Sequence, residues 1–326
     1  MPIIKSTFKP AWGLSNPHLQ TLWATFFRSR FNSTPDVDLT HTRLELEDGD
    51  FLDLVTSNIN DKPIVIILHG LEGSIESAYV KPLIQQLDNE GYGVCFMHFR
   101  GCSDELNRLP RGYHSGDTQD LQQVVNYLQA QYQQGVFAVI GFSLGGNVVL
   151  KWLGEQMDDA PVTTGIAVSV PFQLEHAGDR LEKSFSRVYQ KHLISSCQKK
   201  YKQKFTHQPS PLKVDVNQLN TFYTFDDKVT APLHGFNGAD DYYQKSSSRQ
   251  FLKHIQKPTL ILHSKDDPFM WEHTVPDEDE LSLPVELELS DYGGHVGFVG
   301  GKHLFNVEYW VDKRIVQWLN SLREQS

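Results

Sequence analysis

A lone serine sits in Gly141-Phe142-Ser143-Leu144-Gly145, between the apolar runs Val136 to Ile140 and Val148 to Leu150. G-x-S-x-G at a strand-to-helix turn is a nucleophile elbow, in which glycines at 141 and 145 leave room for a sharp, strained turn that lifts the serine Oγ above a sheet. The helix N-terminus that follows favours negative charge beside it. A serine hydroxyl attacks poorly unaided, so this reading calls for a base, an acid that orients the base, and donors for an oxyanion.

The base on offer is His295, set among Gly293, Gly294 and Gly297 in SDYGGHVGFVGG, where glycines let a loop carry an imidazole close to a serine. Two adjacent acids, Asp266 and Asp267 in PTLILHSKDDPFM, follow a buried run, and either could orient that imidazole. The order Ser, Asp, His separates the chain from the His-Asp-Ser and Asp-His-Ser serine hydrolases. Backbone N–H groups would receive the oxyanion: that of Leu144, directly after the serine, and that of Leu71 in the loop His69-Gly70-Leu71-Glu72-Gly73-Ser74. His69, His98 and His263 each close a strand-like run and so gather at the carboxyl edge, where open sheets hold ligands. Three histidines suit some zinc sites, but serine chemistry needs no metal, and neither a metal nor a cofactor is assigned. Arg100 and Asp117 read as a buried pair or as contacts that fix loops.

These side chains need a scaffold, and the apolar pattern supplies one. Short continuous apolar runs at Pro63 to Leu68, Gly93 to Met97, Val136 to Ile140, Thr164 to Val170 and Pro258 to Leu262 are the mark of parallel strands covered on both faces. Between them, Tyr79 to Asn89, Thr118 to Tyr132 and Asn147 to Met157 repeat apolar residues every three or four positions, as helices do. Alternating βα units predict a mostly parallel, doubly wound α/β sheet flanked by helices. Residues 41 to 54 predict an edge hairpin turning at Asp48-Gly49-Asp50. His295 falls between the last strand-like run, PVELELS, and a final helix.

Composition narrows the partners. With 326 residues and a formal charge of -10, the surface as a whole repels phosphate backbones, so nucleic acid is not expected. The three cysteines, Cys95, Cys102 and Cys197, form no CxxC pair and no disulfide framework, which suits a reducing, cytoplasmic setting. No signal-peptide pattern opens the sequence, and no run approaches the roughly 20 apolar residues that cross a bilayer. Residues 172 to 235 interrupt the βα rhythm and are expected to form a helical cap. Within it Lys183 to Lys204 holds seven Lys/Arg and no acid, with Phe185, Val188, Tyr189, His192, Cys197, Tyr201 and Phe205 near helical spacing. That pattern fits either a packed helix with a solvated cationic face or weak attraction to anionic lipid headgroups.

The segments SNPHLQT (15–21), HGLEGS (69–74), HFRGCS (98–103), YHSGDTQDL (113–121), GFSLGGN (141–147), FDDKVTAP (225–232), ADDYYQKSS (239–247), KDDPFM (265–270) and GGHVGF (293–298) together resemble family 4 of the α/β-hydrolases, in its bacterial YheT-like branch. The resemblance spans almost the whole chain. It implies an α/β-hydrolase fold with a helical cap: one domain with core 40–171 and 236–326, cap 172–235 and N-terminal extension 1–39. It implies Ser143 as nucleophile, His295 as base and Asp267 as the orienting acid, preferred over Asp266 because the acid in this fold commonly precedes a proline or apolar residue. His98 stands where many members carry Asn, and Asp104 where Gly or Ala is frequent. The expected activity is hydrolysis of carboxylic esters, of short- to medium-chain fatty acids or monoacylglycerols, through an acyl-enzyme. The same intermediate could pass its acyl group to an alcohol, as in an acyltransferase, and a binding module with an inert triad is the reading from another class.

Overall fold

The computed structural model describes residues 2–31, 37–303 and 306–324. A short strand β1 (Ile3–Lys5) and helix α1 (Pro17–Phe31) lead into the hairpin of β2 (Thr40–Glu45) and β3 (Phe51–Thr56). Then β4 (Ile64–Leu68), α2 (Val80–Asn89), β5 (Gly93–Met97), α3 (Thr118–Gln131), β6 (Val136–Phe142), α4 (Leu144–Gln156) and β7 (Thr164–Val168) alternate. A helical stretch follows: α5 (Leu174–Leu181), α6 (Ser186–His207), α7 (Phe222–Phe225), a π-helical turn at Asp226–Thr230, α8 (Ala231–Leu233) and α9 (Ala239–Ser246). The chain returns to the sheet with β8 (Thr259–Ser264) and β9 (Val285–Ser290), then forms a small hairpin of β10 (Val299–His303) and β11 (Asn306–Tyr309) and ends in α10 (Trp310–Arg323).

Nine strands form one sheet in the order β1-β9-β8-β7-β6-β4-β5-β3-β2, antiparallel only where β3 pairs with β5 and β2. Successive side chains of a strand point to opposite faces, and the core divides accordingly. Ile64, Ile66 and Leu68 of β4 join a cluster with Leu121 and Val125 of α3 and Trp152 of α4. Val65 and Ile67 face the other way, with Leu83 and Leu87 of α2 and Ile315 of α10. Every residue of β4, β5 and β7 is buried, which is why their sequences are continuous apolar runs rather than alternating ones.

The topology decides where chemistry can occur. From β4 the chain first moves outward to β5 and then crosses back to β6 on the other side of β4, so the direction of winding reverses between β4 and β6. A crevice opens at the carboxyl ends of strands at such a switch point. Leu68 lies beside Gly141 in the register there, so the loop after β4 and the serine turn after β6 are neighbours.

Two parts of the fold lie beyond what the periodicity shows. Residues expected only to form an extension contribute β1, which pairs in parallel with β9 (Ile4 opposite Glu288), and three residues are too few to display a period. The β10–β11 hairpin stands between His295 and the last helix. Among the described residues no helix is long and apolar enough to cross a membrane.

Candidate active site

Ser143 has φ 52° and ψ -117°, a strained conformation for a residue with a side chain, and it sits between the end of β6 and the first turn of α4. The turn closes only because its neighbours are glycines: a Cβ on Gly141 would lie 2.2 Å from the Gly145 carbonyl oxygen, and one on Gly145 would lie 2.6 Å from that of His69. The Ser143 N–H donates to the Val168 carbonyl at 2.8 Å. The buried Asn147 side chain donates to the Ser115 and Ser246 carbonyls at 2.7 and 2.8 Å and accepts the Ser248 N–H at 2.9 Å. That amide therefore staples the helix behind the serine to two loops.

The structure brings Ser143, His295 and Asp267 into one chain of hydrogen bonds. His295 Nδ1 lies 2.8 Å from Asp267 Oδ2, and His295 Nε2 lies 3.0 Å from Ser143 Oγ. A carboxylate only accepts, so the ring proton belongs on Nδ1, and the Nε2 lone pair faces the serine hydroxyl. Asp267 is 3% exposed and its second oxygen accepts the Phe269 N–H at 2.8 Å. The Phe269 ring lies flat on the imidazole, with centroids 4.0 Å apart and planes 3° from parallel. Asp266 is turned elsewhere: its Oδ1 accepts the N–H of Gly294, next to His295, at 2.9 Å, and burial pushes its carboxyl up to about 6.

The histidine loop is anchored by residues no motif had marked for this task. The His295 N–H donates to Thr21 Oγ1 at 2.9 Å, and the Thr21 hydroxyl donates to the Pro17 carbonyl, both from α1. Gln20, wholly buried, donates to the Leu14 and Val299 carbonyls and accepts the Val299 N–H. Val296 donates to the Ser169 hydroxyl at 3.0 Å, and Ser264 Oγ donates to the Gly294 carbonyl at 2.8 Å. Gly294 has φ +58°, and a Cβ there would stand 2.5 Å from the Pro17 carbonyl oxygen, so α1 lies directly on the loop. The segment SNPHLQT was the visible signal. Its purpose is a tertiary contact across more than 270 residues, which spacing cannot reveal.

The loop after β4 abuts the serine, since a Cβ on Gly70 would lie 3.3 Å from Ser143 Cβ. Leu71 within it is flanked by two tethered neighbours. The Gly70 N–H donates to Tyr79 OH at 3.2 Å and the Glu72 N–H to Tyr113 OH at 2.8 Å, while Tyr113 OH donates to Glu72 Oε1 at 2.9 Å. Lys200 of α6 closes on the same Glu72 oxygen at 2.8 Å. Leu144 opens α4, and the first N–H groups of a helix have no acceptor within it.

The three strand-end histidines have separate duties. His69 Nδ1 donates to the Gly70 carbonyl at 2.6 Å and Nε2 accepts the Phe99 N–H at 3.1 Å; burial pushes this imidazole down to about 3. His98 accepts the Ile75 N–H and donates to the Asp53 carbonyl. His263 packs against Phe172, and burial pushes it down to about 4. Among the described residues no group of His, Cys, Asp and Glu is arranged to hold a metal ion. Arg100 does not pair with Asp117. It forms a two-point contact with Asp120 at 2.7 Å and reaches Asp48 and Asp50, whereas Asp117 faces Arg111 at 3.4 Å.

Residues of α5, α6, α7 and α9 line a cavity beside the serine. It has a volume of about 90 Å³, touches Ser143 and is lined by Leu174, Leu181, Leu193, Phe269 and Met270. A second, of about 150 Å³, continues beside Leu71 and Leu144 between Tyr113, Cys197, Phe205 and Leu233. The cationic face of α6 is only partly solvated. Lys204 is buried, donates to Asn107 and to the Arg111 carbonyl, and burial lowers its ammonium to about 8. Phe185 and Val188, at the start of the same stretch, are exposed.

The sequence and the fold agree with known proteins. Residues 63–302 match the family model described as alpha/beta hydrolase fold. The chain is 41% identical to YheT of Escherichia coli (strain K12) over 97% of its own length and 94% of that protein. It is 27% identical to the phospholipase ABHD3 of Mus musculus, covering 92% of this chain and 75% of the other. With the monoacylglycerol lipase of Saccharomyces cerevisiae it shares 30% identity over 73% of this chain and 55% of the other. Among solved structures, the Pyrococcus furiosus esterase Pf2001 superposes with a TM-score of 0.58 at 21% identity, covering 90% of this chain and 93% of that one. Matched along nearly its full length by YheT and along most of it by the family model, the chain belongs to the α/β-hydrolase family, in its YheT-like branch.

Proposed function

We propose that this protein is a serine hydrolase that cleaves carboxylic esters of fatty acids through an acyl-enzyme. The observation that carries the reading is the pair of contacts from Ser143 Oγ to His295 Nε2 and from His295 Nδ1 to Asp267. Ser143 Oγ attacks the ester carbon while His295 Nε2 takes its proton, and Asp267 stabilises the imidazolium. The N–H groups of Leu71 and Leu144 receive the charge that develops on the carbonyl oxygen. Collapse expels the alcohol, which takes the proton from His295. A water molecule, deprotonated by the same nitrogen, then attacks the acyl-enzyme and releases the acid and the free serine. Residues 172–235 act as the cap, and their apolar walls suit a hydrocarbon chain rather than a polar acid. The names of the relatives, a phospholipase and a monoacylglycerol lipase, support lipid esters as substrates. The three free cysteines fit a cytoplasmic enzyme.

A panel of p-nitrophenyl esters of increasing acyl length tests the proposal. Hydrolysis should occur, with an optimum at short to medium chains and a decline when the chain outgrows the cavity. No turnover of any ester, from protein whose fold is intact by circular dichroism, would sink it.

A further inference from the structure

The lobe of the cavity that touches Ser143 is lined mainly by apolar side chains. The two lobes share Leu71, Leu144, Phe222 and Tyr242, and they share one acid, Asp226. Asp226 is the sole acid among the described residues lining the lobe that touches Ser143. It is the first residue of the π-helical turn after α7, and such turns recur at functional sites.

What surrounds Asp226 does not account for a carboxylate. Thr230 Oγ1 donates to Oδ1 at 2.6 Å and Tyr243 OH to Oδ2 at 2.8 Å, and among the described residues no Lys or Arg forms an ion pair with it. Its neighbour Asp227 shows what a structural aspartate does here: it pairs with Lys228 at 2.8 Å and accepts the Ala239 N–H at the start of α9. Asp226 is partly buried and lines both lobes of the cavity. Each of its oxygens accepts one hydroxyl and has a lone pair to spare. A chamber meant only for hydrocarbon gains nothing from such a group, because a desolvated acid without full hydrogen bonding is destabilising.

We infer that Asp226 accepts a hydrogen bond from a free hydroxyl on the alcohol part of the substrate, so that the cavity selects partial esters of polyols over esters of simple alcohols. This rests on the esterase reading and adds the alcohol it prefers. A hydroxyl donating to a carboxylate makes a strong bond in a dry site, while an ester without one leaves the acid unpaired beneath its own hydrocarbon. A cationic head group would also attract the acid: in the outer lobe Lys200 is paired with Glu72 and Arg100 with Asp48, Asp50 and Asp120, so these walls do not exclude a cation, and a choline ester separates the two cases.

The test compares three esters of one medium-chain fatty acid: the 1-monoacylglycerol, the propyl ester, which has the same carbon skeleton without hydroxyls, and the choline ester. Wild-type kcat/KM should favour the monoacylglycerol over the propyl ester by roughly 10- to 100-fold, the value of one hydrogen bond to a charged group. Asp226→Leu should erase that preference while turning over the propyl ester within about threefold of wild type, a margin below one neutral hydrogen bond. Asp226→Asn, which keeps an acceptor oxygen, should retain part of the preference and guards against a leucine variant that folds badly. Equal losses on the glycerol and propyl esters in both variants would reduce Asp226 to a cap-building residue and overturn the assignment. Preference for the choline ester would overturn it in favour of a cation site. Wild-type protein that cleaves none of the three would bring down the esterase reading, and this assignment with it.

Discussion

The two walls of the cavity are held in place by different forces. On the sheet side, Ser143, Asp267 and His295 stand on turns that follow β6, β8 and β9, and β7 among these strands and β4 beside β6 are buried at every residue. On the cap side the apolar clusters are small. One gathers Leu174, Ala231, Ala239, Tyr242 and Tyr243, another Ile194, Val216, Leu219, Phe225 and Val229. Several of the cap's contacts with the core are polar: Lys200 to Glu72, Lys204 to the Arg111 carbonyl, and Ser186 Oγ to the Pro268 carbonyl at 2.6 Å. Each such contact contributes about 1 kcal/mol net, whereas burying one large aliphatic side chain contributes roughly 1.5–3 kcal/mol. We therefore expect fixed geometry on the sheet side and adaptability in the proposed cap. Mutations should separate the two, changing rate on one side and preference on the other.

The largest effect should come from the serine and its base. Triad members act as a unit, so Ser143→Ala or His295→Ala should each lower ester turnover by up to roughly 10⁶-fold. Melting temperatures should hardly change, because neither side chain supports the core. A fluorophosphonate should label the wild type and not Ser143→Ala; equal labelling of both would remove Ser143 from the chemistry and the sheet side from its role.

Next in size is the acid. Asp267→Asn leaves the shape of the site but favours the wrong imidazole tautomer, a change that cost about 10⁴-fold in a serine protease. Asp266→Asn should cost far less in kcat, since Asp266 Oδ1 holds the Gly294 N–H and not the imidazole. If Asp266→Asn proved the inactive variant, the assignment of the two carboxylates would be reversed while Ser143 and His295 stood.

That pair also marks how far the sequence could be read. Buried parallel strands declare themselves as apolar runs, and the elbow is a local rule about glycines, so β4 to β8 and Ser143 are visible in the residues alone. The choice between Asp266 and Asp267 is not, because consecutive residues on a turn differ in direction and only the folded chain shows which meets the imidazole. Thr21 and Gln20 were hidden for another reason: their partners, His295 and Val299, lie at the opposite end of the chain. Asp226 was equally illegible, since FDDKVTAP gives no hint that the first aspartate faces a cavity and the second an ion pair.

Two smaller substitutions sharpen the contrast between the walls. Thr21→Val keeps the volume but strands the His295 N–H, and leaving a buried donor unmade costs about 1–3 kcal/mol. We expect kcat to fall about tenfold with KM little changed, if a modest part of that energy is felt as displacement of the imidazole. Lys200→Met breaks the Lys200–Glu72 contact on the cap side. Its rate loss should be smaller, about threefold, and should differ between short and long acyl esters, as a loosened cap would require. A Thr21→Val enzyme with altered chain-length preference and unaltered kcat would contradict the division of labour.

The smallest expected effect is on stability, and its sign depends on pH. Burial raises the Asp266 carboxyl to about 6 in the folded protein, against about 3.9 for an exposed aspartate. Between these values the folded chain keeps a proton that the unfolded chain has lost, so the Asp266 contribution to stability falls as pH rises from about 4 to 6 and is level above. Solvent reaches part of this group, so the change should amount to no more than a few degrees in melting temperature. Asp266→Asn still offers an oxygen to the Gly294 N–H and has no proton to lose. Its melting temperature relative to wild type should therefore be higher at pH 8 than at pH 4.5, where the wild-type carboxyl is neutral. A relative melting temperature that stayed constant from pH 4.5 to 8 would show that Asp266 titrates normally, and that the loop beneath His295 is wetter than the sheet side of this comparison requires.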